Sequence, residues 1–360
     1  MASFRTQGRP MQRLLFFAGT VFAIALAAAA HAARPQCGDV IGGDVIAEPK
    51  EKQLYELSEA EVGDYLHQLH ASQPNLRQRI MDLGRKNIGQ PYDIYLLGEF
   101  PFETYDPQPM YSLTKSDCVV FTEHTYAMAL TSDWPSFMRM LQRIRYRDGQ
   151  IGVATRNHYT EADWVKSNDW LLRDITSEIA GDVAVPFKEK FDRAKFLKGR
   201  YKLSVDIPVE EHHDSYLPYT EIDRIGDLVQ EGDCINVVRA AVKPGDPPSQ
   251  PVEGTVFVGH VGLVARGPDG TLHFLHSSVP HVREEPLTEY IRRSTEKIET
   301  LDKEGKPRLV GFKFLRLVDD PLARLREIDG PDAPLVKLPL EDASQFWKDH
   351  LPANSASAAK

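Results

Sequence analysis

The chain has 360 residues, a net charge of −9, and 42% hydrophobic against 26% charged residues. That balance is globular and excludes a largely disordered chain, a coiled coil and a polytopic membrane protein. The acidic charge argues against a general nucleic-acid binder, which needs a basic surface, and three cysteines are too few for a disulfide scaffold or a Cys-rich metal site.

Arg5, Arg9 and Arg13 precede an apolar run from Leu14 to Ala30, which ends in Ala30-His31-Ala32. A positive start, an apolar stretch and a small-x-small site form the layout of a secretory signal peptide over residues 1–32. An uncleaved anchor is the alternative, since the run is at the short limit for spanning. Cys37 follows Arg-Pro-Gln rather than the small residues of a lipoprotein cysteine. Cleavage would leave a periplasmic or secreted protein with no stable membrane insertion, in a compartment where a free thiol needs a reason. Residues 33–55 read as a polar leader.

Ser58-Glu59-Ala60-Glu61 is a capping box that opens a helix through Leu66 and Leu69. A second helix is expected from about Asn75 to Ile88, broken by Gly89-Gln90-Pro91-Tyr92. Residues 93–115, rich in Pro, Tyr and Gly, read as a long structured loop, and a loop of that length is usually functional. Helices are expected over 117–130 and, after Asp133 and Pro135, over 134–146. Beyond Asn157 strands and connections are expected to dominate. Residues 227–240, 254–266 and 271–278 have strand character, whereas 185–197 suits either a helix or an edge segment. Residues 318–350 are expected to pack on the core, and the tail 345–360 to be disordered. Helices first and strands after predict an α+β fold with an antiparallel sheet. The domain itself is then 56–320, with 321–360 a C-terminal extension.

Cys118 follows Ser116 and Asp117, both good N-caps, and so falls in the first turn of its helix. Unpaired amides and the macrodipole favour an anion there, which lowers a thiol's pKa and offers N–H groups to a developing oxyanion. A base is offered by two strands. Val258-Gly259-His260-Val261-Gly262 places a histidine between glycines, and after Gly267-Pro268-Asp269-Gly270 the chain returns through His273 and His276. Pro-Asp-Gly suits a type I turn with a left-handed Gly bulge. That pairs Gly267 with Thr271, sets His276 opposite Gly262, and makes His260 and His276 diagonal neighbours on one face. A two-residue loop would put His273 there instead. The favoured constellation is Cys118 as nucleophile, His260 as base and His276 as orienter.

These segments resemble the NlpC-type papain-like cell-wall peptidases, and most closely their N-acetylmuramoyl-L-alanine amidase-like branch. The resemblance rests on GQPY (89–92), LGEFP (97–101), SDCVVFTE (116–123), RIRYRDG (143–149), RNHYTEADW (156–164), EGDCI (231–235), GHVGLV (259–264), LHSS (275–278) and PLTEYI (286–291), over about 75–320. HSS stands where HAS is more usual. The resemblance implies a papain-like fold, with the nucleophile at a helix N-terminus packed on the sheet. It also implies a cysteine amidohydrolase that cleaves an amide bond of peptidoglycan fragments or muropeptides through a thioester. Cys118, His260 and His276 match its catalytic positions, and Tyr92 matches a tyrosine lining the cleft.

Arg156, Asn157 and His158, with Tyr159, form a polar cluster suited to carboxylates or sugar hydroxyls; Asp163 and Trp164 are candidates for the same cleft. No cofactor or metal is called for: His67 and His70 lack a carboxylate or Cys partner. His212-His213 reads as a solvated loop and His124 faces away from Cys118 on its helix. Cys234 reads as structural, and Cys37 and Cys234 are candidates for a disulfide that would leave Cys118 free. The competing chemistries are cleavage after D-glutamate in the stem peptide and acyl transfer from the same thioester to an amine. A non-catalytic wall binder would need none of the three site residues.

Overall fold

The computed structural model describes residues 51–330 and the helix Ala343–His350. The expected signal peptide, Cys37 and residues 351–360 lie outside the described residues. A 3-10 turn at Leu54–Glu56 already buries Leu54, so folded structure starts inside the stretch expected to be a leader.

Four helices follow, each begun by a side-chain cap. Helix α1 (Glu59–Ser72) opens on the reciprocal capping box of Ser58 and Glu61, and α2 (Leu76–Lys86) on Asn75. Helix α3 (Cys118–Ala129) is capped by Asp117, and α4 (Trp134–Arg145) by Asp133, with proline in its first turn. Every residue of α3 from Val120 to Ala129 is buried, so this apolar helix runs through the interior with α2 and α4 against it. The 93–115 segment is a structured loop with an isolated bridge between Phe100 and Pro109.

Beyond Asn157 the chain holds more helix than expected. Short α5 (Val165–Ser167), β1 (Leu172–Asp174) and α6 (Thr176–Ala180) come first. The ambiguous 185–197 segment divides into strand β2 (Val185–Phe191) and the start of α7 (Arg193–Tyr201), with Asp192 as the cap between them. Strands β3 (Glu210–Pro218), β4 (Cys234–Ala240), β5 (Phe257–Arg266), β6 (Leu272–Ser278) and β7 (His281–Pro286) follow. Then come α8 (Leu287–Thr295), α9 (Ile298–Lys303) and β8 (Arg308–Leu317). All pairings are antiparallel, in the order β2-β3-β8-β4-β5-β6-β7, with β1 also on β8. This is the α+β architecture with an antiparallel sheet. Strand β8 is the last in sequence yet lies inside the sheet. The strand expected over 227–240 begins only at Cys234, and residues 219–228 form a 3-10 helix.

Alternation along the central strands fills two cores. Leu263, Leu275 and Leu315 face α1–α4 with Ile80, Phe121 and Phe137. Val264, Phe274, Phe312 and Phe314 face the other side, where Leu287 and Tyr290 of α8 cover them. Asp233, fully buried, pins α2 to the sheet through Arg77 at 2.8 Å and Arg316 at 2.7 Å. His212 is not in a solvated loop. It lies buried on β3 against Asp214 (3.2 Å), which also pairs with the buried Lys313.

Helix α10 (Pro321–Asp329) packs Leu322 and Leu325 on the helical core. The tail expected to be disordered from 345 is instead helical over α11 (Ala343–His350). The reason is Trp347, which is buried between the Arg147 and Arg193 guanidinium groups and donates Nε1–H to Ala154 O at 2.8 Å.

Candidate active site

The hairpin decides the site. Leu263 pairs with Leu275 and Ala265 with His273, Gly267 donates to Thr271 O at 3.0 Å, and Gly270 has φ +81°. This is the three-residue turn with a left-handed glycine. It places His260 and His276 on one face as diagonal neighbours. His273 points to the other face, 3.1 Å from Glu284. Gly262 lies opposite His276, and a Cβ there would come within 2.8 Å of the His276 Cβ and 2.7 Å of Leu275 O.

The two imidazoles are in direct contact, His260 Nε2 to His276 Nδ1 at 2.7 Å, and His276 Nε2 reaches Glu285 Oε1 at 2.9 Å. Glu285 also accepts from Arg293 at 2.5 Å and Arg283 at 3.2 Å. Burial works to raise its carboxyl, but the bond from His276 and the two guanidinium groups outweigh it and hold the pKa down to about 2. Both histidines are pushed below the ordinary imidazole value, each mainly by burial. For His260 the shift is large, with His276, Arg239 and Arg283 adding to it. Both are therefore neutral at pH 7, and the ionised carboxylate then sets their tautomers. Glu285 can only accept, so His276 donates Nε2–H to it. His276 Nδ1 is thereby an acceptor and takes Nε2–H from His260. The Nδ1 of His260 is left with a bare lone pair. Phe274 stacks on His276 (4.3 Å, 7°) and Tyr290 lies parallel to His260 (6.2 Å, 6°), fixing both rings.

Cys118 is half-buried, at the start of α3. The main-chain amide of Val261, the residue next to His260, is the leading influence that favours the Cys118 thiolate. The thiol's pKa is not lowered as its helix position predicts. Burial, then the Asp117 carboxylate, push it up to about 12 against the pull of the Val261, Val119 and Cys118 amides. Asp117 is itself held by its cap bond from Val120 N at 2.8 Å. The loop before Cys118 is tied to the His276 strand. Ser277 Oγ donates to Ser116 O at 2.9 Å, and Ser116 Oγ donates to Gln90 Oε1 at 2.7 Å. The serine in HSS therefore has a structural reason. Tyr92 bridges to Ser116 in the same strip, and burial followed by the Cys118 sulfur raises its phenol to about 12.

A cavity of about 330 Å³ lies beside α3, lined by Asp117 and Val119 on either side of Cys118 and by Arg156, Asn157 and His158. The polar cluster is thus brought to the site, but with part of its chemistry spent internally. Arg156 donates to Glu99 at 2.7 Å and Asp106 at 2.9 Å. His158 donates Nε2–H to Val153 O at 2.6 Å, and burial keeps its pKa well below the usual value. Asn157 donates Nδ2–H to Ile144 O at 3.0 Å. Asp163 is buried on Arg193 and is a framework group, whereas Trp164 lines a smaller adjoining cavity with Val119 and Val261. Among the described residues Cys234 is a buried thiol without a disulfide partner, beside Asn236; the pairing with Cys37 lies outside the described residues. Among the described residues no three His, Cys, Asp or Glu side chains are placed to hold a metal ion.

Glu285 and Tyr290 are the site residues that sequence reasoning missed. Glu285 sits in an ordinary charged run, and only the pairing of His276 with Arg283 on β7 brings it alongside. A signal for Tyr290 was present in PLTEYI.

Residues 82–298 match the family model described as N-acetylmuramoyl-L-alanine amidase-like. No curated protein matches the sequence. Among solved structures, a Legionella pneumophila protein superposes with a TM-score of 0.60 at 19% identity, covering 79% of this chain and 98% of its own. An N-acetylmuramoyl-L-alanine amidase from Bacteroides uniformis does so with a TM-score of 0.50 at 21% identity, over 68% of this chain and 99% of its own. At such identities the structural likeness speaks for the fold, and the matched span of sequence speaks for the family. This chain belongs to the N-acetylmuramoyl-L-alanine amidase-like family.

Proposed function

We propose that the protein is a cysteine amidohydrolase of peptidoglycan, cleaving the bond between muramic acid and L-alanine, with Cys118 as nucleophile and His260 as base. The family supports a peptidoglycan-related hydrolase of amide bonds. The observation that carries the cysteine mechanism is the Glu285–His276–His260 chain, which ends in a bare imidazole nitrogen on the strand whose next amide, that of Val261, favours the Cys118 thiolate.

The resting pair is neutral thiol and neutral imidazole. As substrate seats, the thiol proton passes to His260 Nδ1 while sulfur attacks the amide carbon, a contact that tightens only in the complex. His276 and Glu285 stabilise the imidazolium that forms. Once the sulfur is bonded to carbon, the Cys118 amide at the start of α3 is released to serve the oxyanion. Collapse breaks the C–N bond, and Nδ1–H protonates the leaving amine. Water then attacks the thioester and gives a proton to Nδ1, and the expelled sulfur takes that proton to restore the neutral thiol and neutral imidazole. A nucleophile at a helix N-terminus with its histidine on an antiparallel sheet is the papain-like layout, and it supports grouping the fold with the NlpC-type peptidases. The Arg-led apolar segment 1–32 supports secretion to a compartment that holds such a substrate.

The test is mass analysis of products from purified muropeptides. Release of free stem peptide from the muramic acid sugar, lost in Cys118→Ala, is the expected result. Cleavage after D-glutamate would move the scissile bond, transfer to an added amine would indicate an acyltransferase, and full turnover by Cys118→Ala would remove Cys118 from the mechanism.

A further inference from the structure

The cavity beside α3 has three guanidinium groups in its wall, those of Arg145, Arg156 and Arg200. Two are neutralised from within, Arg145 by Glu123 at 3.3 Å and Arg156 by Glu99 and Asp106. Arg200 is different. It stands near the end of α7, exposed, and among the described residues no carboxylate pairs with it. Its guanidinium instead lies 4.7 Å over the ring of Tyr95 and 6.0 Å from that of Tyr201, both also in the cavity wall. Tyr95 is 70% exposed with φ +58°, a conformation uncommon for a bulky residue, and it presents its ring on the loop side of the rim. Deeper in, Asn157 Oδ1 is buried with no partner, while its Nδ2 is committed to Ile144 O, so the amide cannot flip to hide the acceptor. The cavity thus has one uncompensated cation at its mouth and one unsatisfied acceptor in its wall. An anionic group attached to an amide N–H would satisfy both.

We propose that this cavity is the subsite for a carboxylate of the stem peptide, with Arg200 as the specificity-determining residue and Asn157 Oδ1 accepting a peptide N–H of the same ligand. The inference rests on the amidohydrolase reading and deepens it. Arg156 shapes the wall, and Arg200 supplies the charge. A fork of guanidinium N–H groups matches a carboxylate in a way that a carboxamide of equal size does not. The aromatic rings of Tyr95 and Tyr201 hold the fork in place while leaving its edge to the ligand.

The experiment uses the full protein and two N-acetylmuramoyl peptides, one with its stem carboxylates free and one with them converted to carboxamides. Wild type is expected to lose about tenfold in kcat/KM on amidation, chiefly through KM. Arg200→Ala is expected to lose about tenfold on the free acid and to treat the two peptides alike. Arg200→Lys should recover part of the preference, because it keeps the charge but not the fork. Thermal melts of both variants, expected to match wild type, separate loss of the subsite from loss of fold. The inference is overturned if wild type handles both peptides equally, or if Arg200→Ala loses the same factor on each. Failure of wild type to cleave either peptide would sink the amidohydrolase reading, and this inference with it.

Discussion

A thiol held as high as about 12 reacts only if its proton leaves in the same event, so the tautomer of His260 matters more than the charge of Cys118. That tautomer is set two residues away, by an ionised Glu285 that can accept and never donate. Glu285→Gln tests this directly. The new amide can donate to His276 Nε2 and reverse the chain, leaving His260 with its proton on Nδ1 and no lone pair for the thiol. We expect kcat to fall by at least about 10²-fold with the fold intact, as wrong-tautomer variants of other triads do. Turnover within a few-fold of wild type would show that the carboxylate does not set the base. Low imidazole pKa values have a second consequence. Because His260 and His276 are both shifted down, mainly by burial, the acid limb of the kcat/KM profile should lie below the ordinary imidazole value of about 6.5. A limb at or above that value would contradict a neutral resting pair.

At the scale of elements, the β5–β6 hairpin converts one turn into an active-site geometry. Its left-handed Gly270 adds the residue that carries His276, rather than His273, to the face of His260. His276→Ala should abolish most activity. His273→Ala, which removes only a hydrogen bond to Glu284 on the opposite face, should leave turnover within a few-fold of wild type. Activity assays on the two variants side by side decide between the registers. Gly262→Ala would thrust a Cβ into Leu275 O and the His276 Cβ. We expect a cost of about 2 kcal/mol in denaturant unfolding and a displaced His276. A fully active, fully stable variant would mean that the two strands can part without harm.

For the whole molecule, acid stability follows from the same groups. Glu285 is depressed in the fold, so its stabilisation is complete above the ordinary carboxyl value and is lost as pH falls from about 4.5 towards 2. The two histidines are also depressed. The unfolded chain takes up their protons first, and stability declines as pH falls below about 6.5. Thermal melts from pH 7.5 to 4 should show a steady fall, and a flat profile would contradict it. At the other end of the chain, Trp347 joins a C-terminal helix to Arg147, Arg193 and Ala154. Trp347→Ala should cost about 3–5 kcal/mol in urea unfolding; a negligible loss would make the helix an ornament of the fold.

Local chemistry made much of this legible in the residues themselves. Caps at Ser58, Asn75, Asp117 and Asp133 act within one helical turn, so four helix starts were readable from the chain alone. The Pro-Asp-Gly turn acts within three residues, so the facing of His260 and His276 was readable as well. What a neighbour in sequence does not determine had to come from the fold. Strand β8 enters the sheet between β3 and β4, 68 residues or more from either by chain order, and no local pattern announces such a pairing. Glu285 and Arg200 looked like any surface charge until β7 and α7 set one behind a histidine and the other over a cavity. Even the acidity of Cys118 was reversed by packing, because a helix terminus acts on the sulfur alone in water, whereas the surrounding side chains decide how much water is left.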